Sequence, residues 1–317
     1  REAAGGDRKL VLNKDAIIRT FYNETSRKTQ ALRCQSDETG KVVKNAAGKD
    51  ACTTIGDLED VAHLWEAGKL LATNPANERN IWTQTDERGV FRFQGGAADH
   101  LAPYLRATNS AESENIINFI RGEAVTGLRN RVRVVGDKAV TWKLGDIIHS
   151  DPTVVAAPLD ALDKKYGDTS YIRFVDQYKK RRQVIYVGGN DGMLHAFNGG
   201  FYHSGDDPDT SEKENGYFKT IRPEGGGHVP LGKELWGFIP QELLPHLKFI
   251  TSTEYTKDQH FYFVDGTPSV VDARIFEPDA DHPNGWGTIL IASMRLGGAL
   301  YPLNLNPSAN TNTTDPG

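Results

Sequence analysis

The sequence predicts a mainly β protein with a few helices, organised as a partial, modified β-propeller whose ring is incomplete in this chain. Two observations carry this prediction. Short apolar runs are separated by glycine-rich turns, and the 317 residues include 32 glycines. The segment 192–198, GMLHAFN, also returns 106 residues later at 298–304 as GALYPLN. A recurring unit of four short strands is typical of propeller blades, so the repeat favours this fold.

Residues 1–135 are predicted to form a mixed α+β segment that leads into the propeller and packs on it. A first helix is predicted over residues 57–72, because Asp57 can cap it and apolar residues follow at helical spacing. A hairpin is predicted over residues 80–94, with its turn at 86–89.

A second helix is predicted over residues 112–121, because isoleucines recur there on one helical face. Ser110 is the predicted cap at its beginning. Gly122 is the predicted end, since glycine adopts the left-handed conformation that closes many helices. Both helices lie before the segment in which the strand pattern becomes regular.

Residues 136–317 are predicted to hold the first propeller blades, with a second repeat that is truncated. Four strands are predicted in succession, at 145–158 with a break at Asp151-Pro152, at 183–190, at 193–198 and at 234–240. Three more, at 266–275, 288–294 and 299–304, repeat the first three. The intervening segments 199–233 and 240–262 are predicted to be long surface insertions. The remaining blades are expected in sequence outside this chain.

The stretch 184–198, VIYVGGNDGMLHAFN, predicts two strands joined by a tight turn, because asparagine and glycine tolerate positive φ. Asp146, Asp151 and Asp191 are interpreted as turn caps, since aspartate bonds to its own backbone in turns. His149 and His195 fall on predicted strands, where packing or a hydrogen bond at the rim is favoured over catalysis.

Composition and cysteine usage exclude some classes of protein. The 37 basic and 42 acidic residues are interspersed, which argues against a dedicated nucleic-acid binder. No run approaches the ~20 apolar residues of a transmembrane helix. Cys34 and Cys52 lie in a polar segment and are predicted to form a disulfide, which would indicate an oxidising compartment. Two free thiols in a cytosolic protein remain the alternative.

Six motifs occur in an order that resembles a known family: LWEAGKLLATNPANERNIWT, NIINFIRG, LGDIIHSDPTVVAAP, VIYVGGNDGMLHAFN, ELWGFIPQELLPHL and HFYFVDGTPSVVDA. They resemble the C-terminal region of type IV pilus tip adhesin and biogenesis proteins of the PilY/PilC type, over residues 10–304. GDIIHSDP and YVGGNDGMLHAFN are specific in combination. The second alone is less so, because quinoprotein dehydrogenases and outer-membrane assembly propellers carry similar repeats.

The resemblance implies a modified propeller with quinoprotein-like blades and a non-catalytic protein associated with the pilus tip. Such a protein is exported to the pilus tip, cell surface or outer membrane of a Gram-negative-type bacterium. It supports pilus assembly, promotes extension against retraction and mediates adhesion. The partners implied are minor pilins of the tip complex, a host or surface receptor, and the remaining propeller blades.

Two other classes stay open, a quinoprotein-like dehydrogenase and an outer-membrane assembly scaffold. An enzyme would need a catalytic constellation, and the sequence contains neither a GxSxG elbow nor a GxGxxG or GxxxxGK[ST] phosphate loop. The sequence therefore predicts no catalytic and no cofactor-binding residue, and no nucleic-acid partner.

Calcium is the one metal that the resemblance implies, since many family members bind it in an Asp-rich loop. Two acidic stretches contain alternating candidates, Asp207 and Asp209 in the first, Asp279 and Asp281 in the second. Both depart from the strict calcium-loop pattern, because Glu212 stands where a glycine is required and Pro283 where a ligand is required. Solvated acidic loops are the favoured interpretation, and the family's calcium loop is expected beyond Gly317.

Overall fold

In a computed structural model that describes residues 7–220, 228–294 and 300–305, most of the regular structure is β-strand. The strands are β1 Lys9–Leu10, β2 Ile17–Asn23, β3 Lys28–Cys34, β4 Cys52–Asp57, β5 Ile81–Thr85, β6 Gly89–Arg92, β7 Val132–Val135, β8 Lys138–Thr141, β9 Thr153–Val155, β10 Gln183–Gly188, β11 Leu194–Ser204, β12 Gly216–Lys219, β13 Glu234–Ile239, β14 Ser269–Arg274, β15 Trp286–Ser293 and β16 Leu300–Asn304. The helices are α1 Ala67–Thr73, α2 Ala98–Leu101, α3 Ser110–Arg121, α4 Leu162–Tyr166, α5 Tyr171–Tyr178 and α6 Leu247–Thr251. The predicted fold class, mainly strands with a few helices, is confirmed.

The chain divides into two compact units. The first unit combines Arg1–Glu66 with Gly200–His228, and the second combines Ala67–Gly199 with Val229–Gly317. The boundary that the sequence places between residues 135 and 136 falls inside the second unit and stays a prediction about where the propeller begins. None of the helices in the described ranges is both long and apolar enough to cross a membrane.

The first unit contains an antiparallel sheet in the order β2–β3–β4. A second group of strands in this unit pairs β1 with β12 and β12 with the last residues of β11, from Phe201 to Ser204. β12 lies inside the predicted insertion 199–233, so this insertion contains a strand that the sequence pattern did not reveal.

The second unit contains the first predicted blade. β9, β10, β11 and β13 pair in chain order, and the β9–β10 and β11–β13 pairs are antiparallel. The loop between β10 and β11 includes Gly192 at φ +94°, a conformation that favours glycine. The predicted hairpin over 184–198 is therefore confirmed, and its two strands are the middle pair of the blade.

Three strands repeat this arrangement later in the second unit. β14, β15 and β16 form an antiparallel sheet in chain order, so β16 takes the place in its sheet that β11 takes in the blade. This is the repeat that the two heptapeptides predicted. The first strands of the two sheets, β9 and β14, are also joined by a hydrogen bond. Thr153 Oγ1 on β9 donates to the carbonyl of Pro268, just before β14, at 2.8 Å.

The hairpin predicted over 80–94 is confirmed as β5 and β6, with antiparallel pairing. Its position was not predicted from the sequence. β5 adds to β13 in parallel, with Gly237 opposite Ile81 and Phe238 opposite Trp82, so the hairpin extends the outer edge of the blade.

The first predicted helix is wrong over most of its length. A 3-10 turn at Leu58–Asp60 is followed by irregular chain, and α1 begins only at Ala67. Asp57 occupies the N-cap position of this turn, where its backbone N donates to Asp60 Oδ2 at 3.0 Å. On the predicted apolar face, Leu58 and Ala62 are exposed, and Val61 and Trp65 are only half-buried. The apolar face therefore lacks the packing from which an amphipathic helix gains most of its stability.

The second predicted helix is confirmed as α3, which begins two residues earlier than predicted. Asn109 rather than Ser110 is the cap, because its side chain accepts from Glu112 N at 2.9 Å. Gly122 ends the helix as predicted, at φ +115°. The isoleucines of α3 belong to the main hydrophobic core of the second unit, together with Trp236 on β13.

The strand predicted over 145–158 is also wrong in its first half, since β9 comprises only Thr153–Val155. The preceding residues contact the hairpin loop instead. Asn190 N donates to the carbonyl of Asp146 at 3.1 Å, and Gly145 N donates to Asp191 Oδ2 at 2.8 Å. These bonds use backbone groups that a sheet partner would otherwise require.

Candidate functional site

Four charged side chains form a buried network in the second unit. Arg79 donates to both carboxylate oxygens of Glu234, from Nε at 2.7 Å and from Nη2 at 2.8 Å. Glu234 Oε1 lies 2.8 Å from Nδ1 of His195, and Nε2 of His195 lies 3.1 Å from both carboxylate oxygens of Asp191. The network therefore alternates positive and negative groups, with side-chain exposure no greater than 7% in its three ion pairs.

Sheet register brings two members of this network together. Glu234 begins β13 and lies opposite Phe197 of β11. Since side chains two residues apart on a strand share a face, His195 lies on the same face as Phe197, and their rings stack at 5.6 Å. Glu234 is thus diagonal to His195 across the pair, a separation that long side chains can bridge.

The helix α3 orients the arginine of the network. Nη1 of Arg79 donates to the carbonyl of Arg121 at 2.9 Å, at the end of that helix. The last carbonyls of a helix lack partners within it and carry partial negative charge, so a guanidinium there is favourable. Arg121 in turn donates to the carbonyls of Phe93 at 2.9 Å and Ala76 at 2.8 Å.

The pKa values in the network follow from mutual charge stabilisation. Burial opposes the ionised form of every member, but the neighbouring charges outweigh it. The carboxylates of Asp191 and Glu234 raise the pKa of His195 to about 9. Arg79 and His195 hold the pKa of Glu234 well below its usual value, and His195 lowers that of Asp191. At neutral pH the network is fully ionised and its charges balance.

This arrangement supports structure rather than acid–base chemistry. His195 is 0% exposed and stays protonated at neutral pH, so it can neither reach a substrate nor accept a proton. The sequence suggested packing or a hydrogen bond at the rim for this histidine. In the structure His195 instead links Glu234 and Asp191 within the buried network. The interpretation of Asp191 as a turn cap is correct in part, because Asp191 Oδ1 accepts from Met193 N at 3.3 Å.

The second histidine singled out in the sequence lies at a partly exposed position. Nδ1 of His149 is 2.5 Å from Asp265 Oδ2, and the side chain of His149 is 40% exposed. The sequence favoured packing or a hydrogen bond at the rim for His149 on a predicted strand. The structure shows a hydrogen bond, but His149 precedes β9 and does not lie on a strand. The bond joins the segment before β9 to the segment before β14.

A cavity of about 410 Å³ in the second unit, here called the basic pocket, lies beside the buried network. Four cations line it: Arg129, Arg131, Arg133 and Lys143. Asp191 belongs both to the pocket lining and to the network. Burial and the nearby guanidinium groups of Arg79 and Arg131 lower the pKa of Lys143 to about 8.

The first pair of calcium candidates is occupied by a lysine. Nζ of Lys219 lies 2.9 Å from Asp209 Oδ2 and 3.5 Å from Asp207 Oδ1. The neighbouring Glu214 is paired with Lys9 at 2.8 Å. These carboxylates therefore have protein partners in the first unit, and calcium binding at Asp207 and Asp209 stays a prediction.

The second pair of calcium candidates folds into a short turn. Oδ1 of Asp279 accepts from Asp281 N at 2.8 Å and from His282 N at 2.7 Å, and it lies 2.8 Å from His282 Nδ1. Within the described ranges, no three histidine, cysteine, aspartate or glutamate side chains are grouped so that they could hold a metal ion. A site at Asp279 and Asp281 likewise stays a prediction.

The predicted disulfide is present between Cys34 and Cys52. The two residues lie directly opposite each other on β3 and β4, at one end of the sheet of the first unit. Cys34 is fully buried. The bond closes a segment of 18 residues that has few buried apolar side chains of its own.

The sequence reasoning missed Arg79, Glu234 and the basic pocket. Arg79 and Glu234 are 155 residues apart, and no local pattern relates them. The basic pocket could have been found from the sequence. Arg129, Arg131 and Arg133 alternate there at the spacing that places side chains on one face of an extended chain. That alternation predicts a basic surface once β7 is recognised as a strand.

Comparisons with known proteins agree with the repeat and the blade. A family model described as the PilY1 beta-propeller domain matches residues 144–313. The type IV pilus biogenesis factor PilY1 of Pseudomonas aeruginosa strain UCBPP-PA14 is 30% identical over 76% of this chain and 18% of its own length. That of strain PAK is 29% identical over 84% of this chain and 21% of its own length. A PilY1 homolog of Xylella fastidiosa is 30% identical over 63% of this chain and 13% of its own length.

The chain spans about a fifth of the length of the Pseudomonas relatives that it matches. No solved structure shows a significant match to it.

Proposed function

Because the chain belongs to the PilY1 β-propeller family, we propose that it supplies propeller blades to a type IV pilus biogenesis factor and acts through protein–protein contacts. The observation that carries the proposal is the repeat of β9, β10 and β11 by β14, β15 and β16. Blades stacked in this way present edges and loops to other proteins, which suits a scaffold.

The proposed role is non-catalytic. The most conspicuous group of acid–base side chains, around His195, is buried and held in its ionised form. Its partners stabilise the charge that a catalytic base would have to give up. The rest of the described chain offers no gathered set of metal ligands from which a Lewis-acid site could be built.

The finer role proposed is at the pilus tip, where the protein would support extension against retraction and contribute to adhesion. Its partners there would be minor pilins, a receptor on a host or surface, and the remaining blades of its own propeller. The disulfide between Cys34 and Cys52 supports an exported location, because such bonds persist in oxidising compartments.

The insertion 240–262 is the contact surface that we assign to the pilus partner. It places Phe249 and Phe261 on the surface at 41% and 42% exposure, with their rings stacked at 5.4 Å. Adjacent exposed aromatic residues are enriched at protein interfaces, where they become the buried anchors of a complex.

The test replaces both aromatic residues in the full-length gene of the source bacterium, as F249S/F261S, and counts surface pili by electron microscopy. We expect fewer pili at an unchanged level of the protein. The matched control is I275S, since Ile275 is 71% exposed and is not part of this insertion. Normal piliation and adhesion after deletion of the whole gene would refute the proposed function, whatever the point variants do.

A further inference from the structure

The basic pocket is built by an extended segment and the strand that follows it. Arg129, Arg131 and Arg133 occupy alternate positions leading into β7, and Lys143 follows β8, the antiparallel partner of β7. Alternation places the three guanidinium groups on one side of the segment. Lys143, which follows β8, is the fourth cation around this cavity of about 410 Å³.

Aromatic rings hold the arginines in place. The guanidinium of Arg131 lies 3.7 Å from the ring centroid of Phe119, that of Arg129 lies 4.6 Å from the ring of Tyr255, and that of Arg133 lies 4.9 Å from the ring of Trp142. Stacking leaves the N–H edges of a guanidinium free to donate. Nη2 of Arg131 already donates to the carbonyl of Phe119.

Two of these N–H groups are buried without an acceptor. Nε of Arg129 and Nε of Arg131 have no hydrogen-bond partner among the described residues. A buried donor that stays unpaired is costly, and in a native protein it often marks a place where a water, an ion or another ligand binds. The chemistry of such a group is that of a hydrogen-bond acceptor.

The charge of the pocket is also uncompensated. None of the four cations forms an ion pair with another described residue, whereas the two acidic residues of the lining have partners of their own. Asp191 lies 3.1 Å from His195, and Asp146 lies 3.1 Å from His260. Burial, together with the neighbouring arginines, lowers the pKa of Arg131 to about 9, which reflects positive charge without a counter-ion.

We propose that the basic pocket binds an organic carboxylate, carried either by an acidic side chain of a polypeptide or by a free small acid. A carboxylate matches the planar fork of a guanidinium and satisfies two donors at once. The volume lies in the range of sites for small ligands. Trp142, Leu144, Ile250 and Tyr255 supply an apolar lining for the carbon chain that carries the acid.

The acidic residues of the lining favour a singly charged group over a multiply charged one. Asp146 and Asp191 face the same cavity, and they would repel a dianionic phosphate more strongly than a carboxylate. This site is independent of the proposed role in pilus biogenesis, since it is argued from the pocket alone.

The test is isothermal titration calorimetry of the full chain with butyrate, a singly charged acid, and with a capped Gly-Glu-Gly peptide, at millimolar concentrations. The amide counterparts, butyramide and capped Gly-Gln-Gly, serve as matched ligands. We expect the acids to bind and the amides to bind at least about tenfold more weakly, because charge-assisted hydrogen bonds are roughly twice as strong as neutral ones.

The variants R133Q and K143M should each weaken binding of the acids roughly tenfold. R133Q removes an exposed side chain and is expected to fold normally, which keeps the test valid if K143M is unstable. R173Q on the exposed face of α5 is the control and should bind as the unmodified chain does.

Binding of the peptide alone assigns the carboxylate to a polypeptide, and binding of butyrate as well assigns it to small acids. Equal affinity for acids and amides would overturn the proposal. So would unchanged affinity in R133Q, or tighter binding of inorganic phosphate than of either acid.

Discussion

Arg79 and Glu234, 155 residues apart in the chain, form a buried two-point ion pair with donor–acceptor distances of 2.7 and 2.8 Å. Arg79 lies just before β5, and Glu234 is the first residue of β13. The pair therefore attaches the added hairpin to the blade at the place where the parallel β5–β13 pairing begins. Charge and backbone pairing stabilise the same junction.

Removal of one member of this pair is expected to destabilise the second unit strongly. The variant E234Q keeps the shape of the side chain but leaves Arg79 buried without a counter-charge, which typically costs about 3–5 kcal/mol. Urea unfolding followed by tryptophan fluorescence measures this loss. The control D176N breaks the exposed pair of Asp176 with Lys179 and should change the free energy of unfolding by less than about 1 kcal/mol. Similar small losses in both variants would contradict the central role of the buried pair.

The stability of the second unit is expected to fall as the pH rises from 6.5 to about 9. The folded protein raises the pKa of His195 from 6.5 to about 9, so protonation favours the folded state. The stabilisation is complete below pH 6.5 and is lost as the pH rises through the folded value. The pKa values of Glu234 and Asp191 are lowered in the folded protein, so their contribution to stability is lost in the opposite direction, as the pH falls and these carboxylates become protonated.

The measurement is the free energy of unfolding at several pH values, for the unmodified chain and for H195Q. Glutamine retains hydrogen-bonding capacity but does not titrate, so the slope between pH 6.5 and about 9 should be reduced in the variant. Parallel pH profiles for the two proteins would show that His195 does not titrate as the geometry requires.

Loss of the disulfide is expected to destabilise the first unit. The bond between Cys34 and Cys52 closes a segment of 18 residues, and a loop of this size contributes about 3 kcal/mol. The double variant C34S/C52S should therefore unfold at a lower temperature. A reducing agent should lower the melting temperature of the unmodified chain but not that of the variant. Insensitivity of the unmodified chain to reduction would mean that the bond adds nothing to stability.

Calcium affinity at the first acidic loop is expected to be weak, because Lys219 already neutralises Asp207 and Asp209. Terbium luminescence, titrated against calcium, measures the site. Removal of the lysine in K219M should increase the affinity, and D207N/D209N should abolish the signal. A tight site in the unmodified chain that D207N/D209N removes would instead identify this loop as a genuine calcium site.

Much of the fold was accessible from sequence pattern. The strands β10, β11, β13, β14, β15 and β16 were all predicted within a few residues, except for the far end of β11, because apolar runs bounded by glycine and asparagine specify strands locally. The first helix was wrong because Leu58, Val61, Ala62 and Trp65 have helical spacing but none of the four is buried. Periodicity predicts which face would be buried, and it does not predict whether anything covers that face.

The candidate site depended far less on local pattern. The pairing of Cys34 with Cys52 was predicted over two free thiols because both cysteines lie in a polar segment with little apolar content to hold it. The turn role of Asp191 was predicted from its neighbours, but its contact with His195 needs the blade to be closed by β13, which brings Glu234 to the same histidine. The alternating arginines were visible in the sequence, yet Lys143 joins them only through the return of β8.

The amino-acid pattern alone therefore determined the strand order, the 106-residue repeat and the cysteine pair, since each rests on neighbouring residues or on internal similarity. Only the tertiary structure determined three further features. These are the ion pair of Arg79 with Glu234, the protonation of His195, and the position of four cations around one cavity. Charges act through space and burial, and both depend on which distant segments come together when the sheet forms.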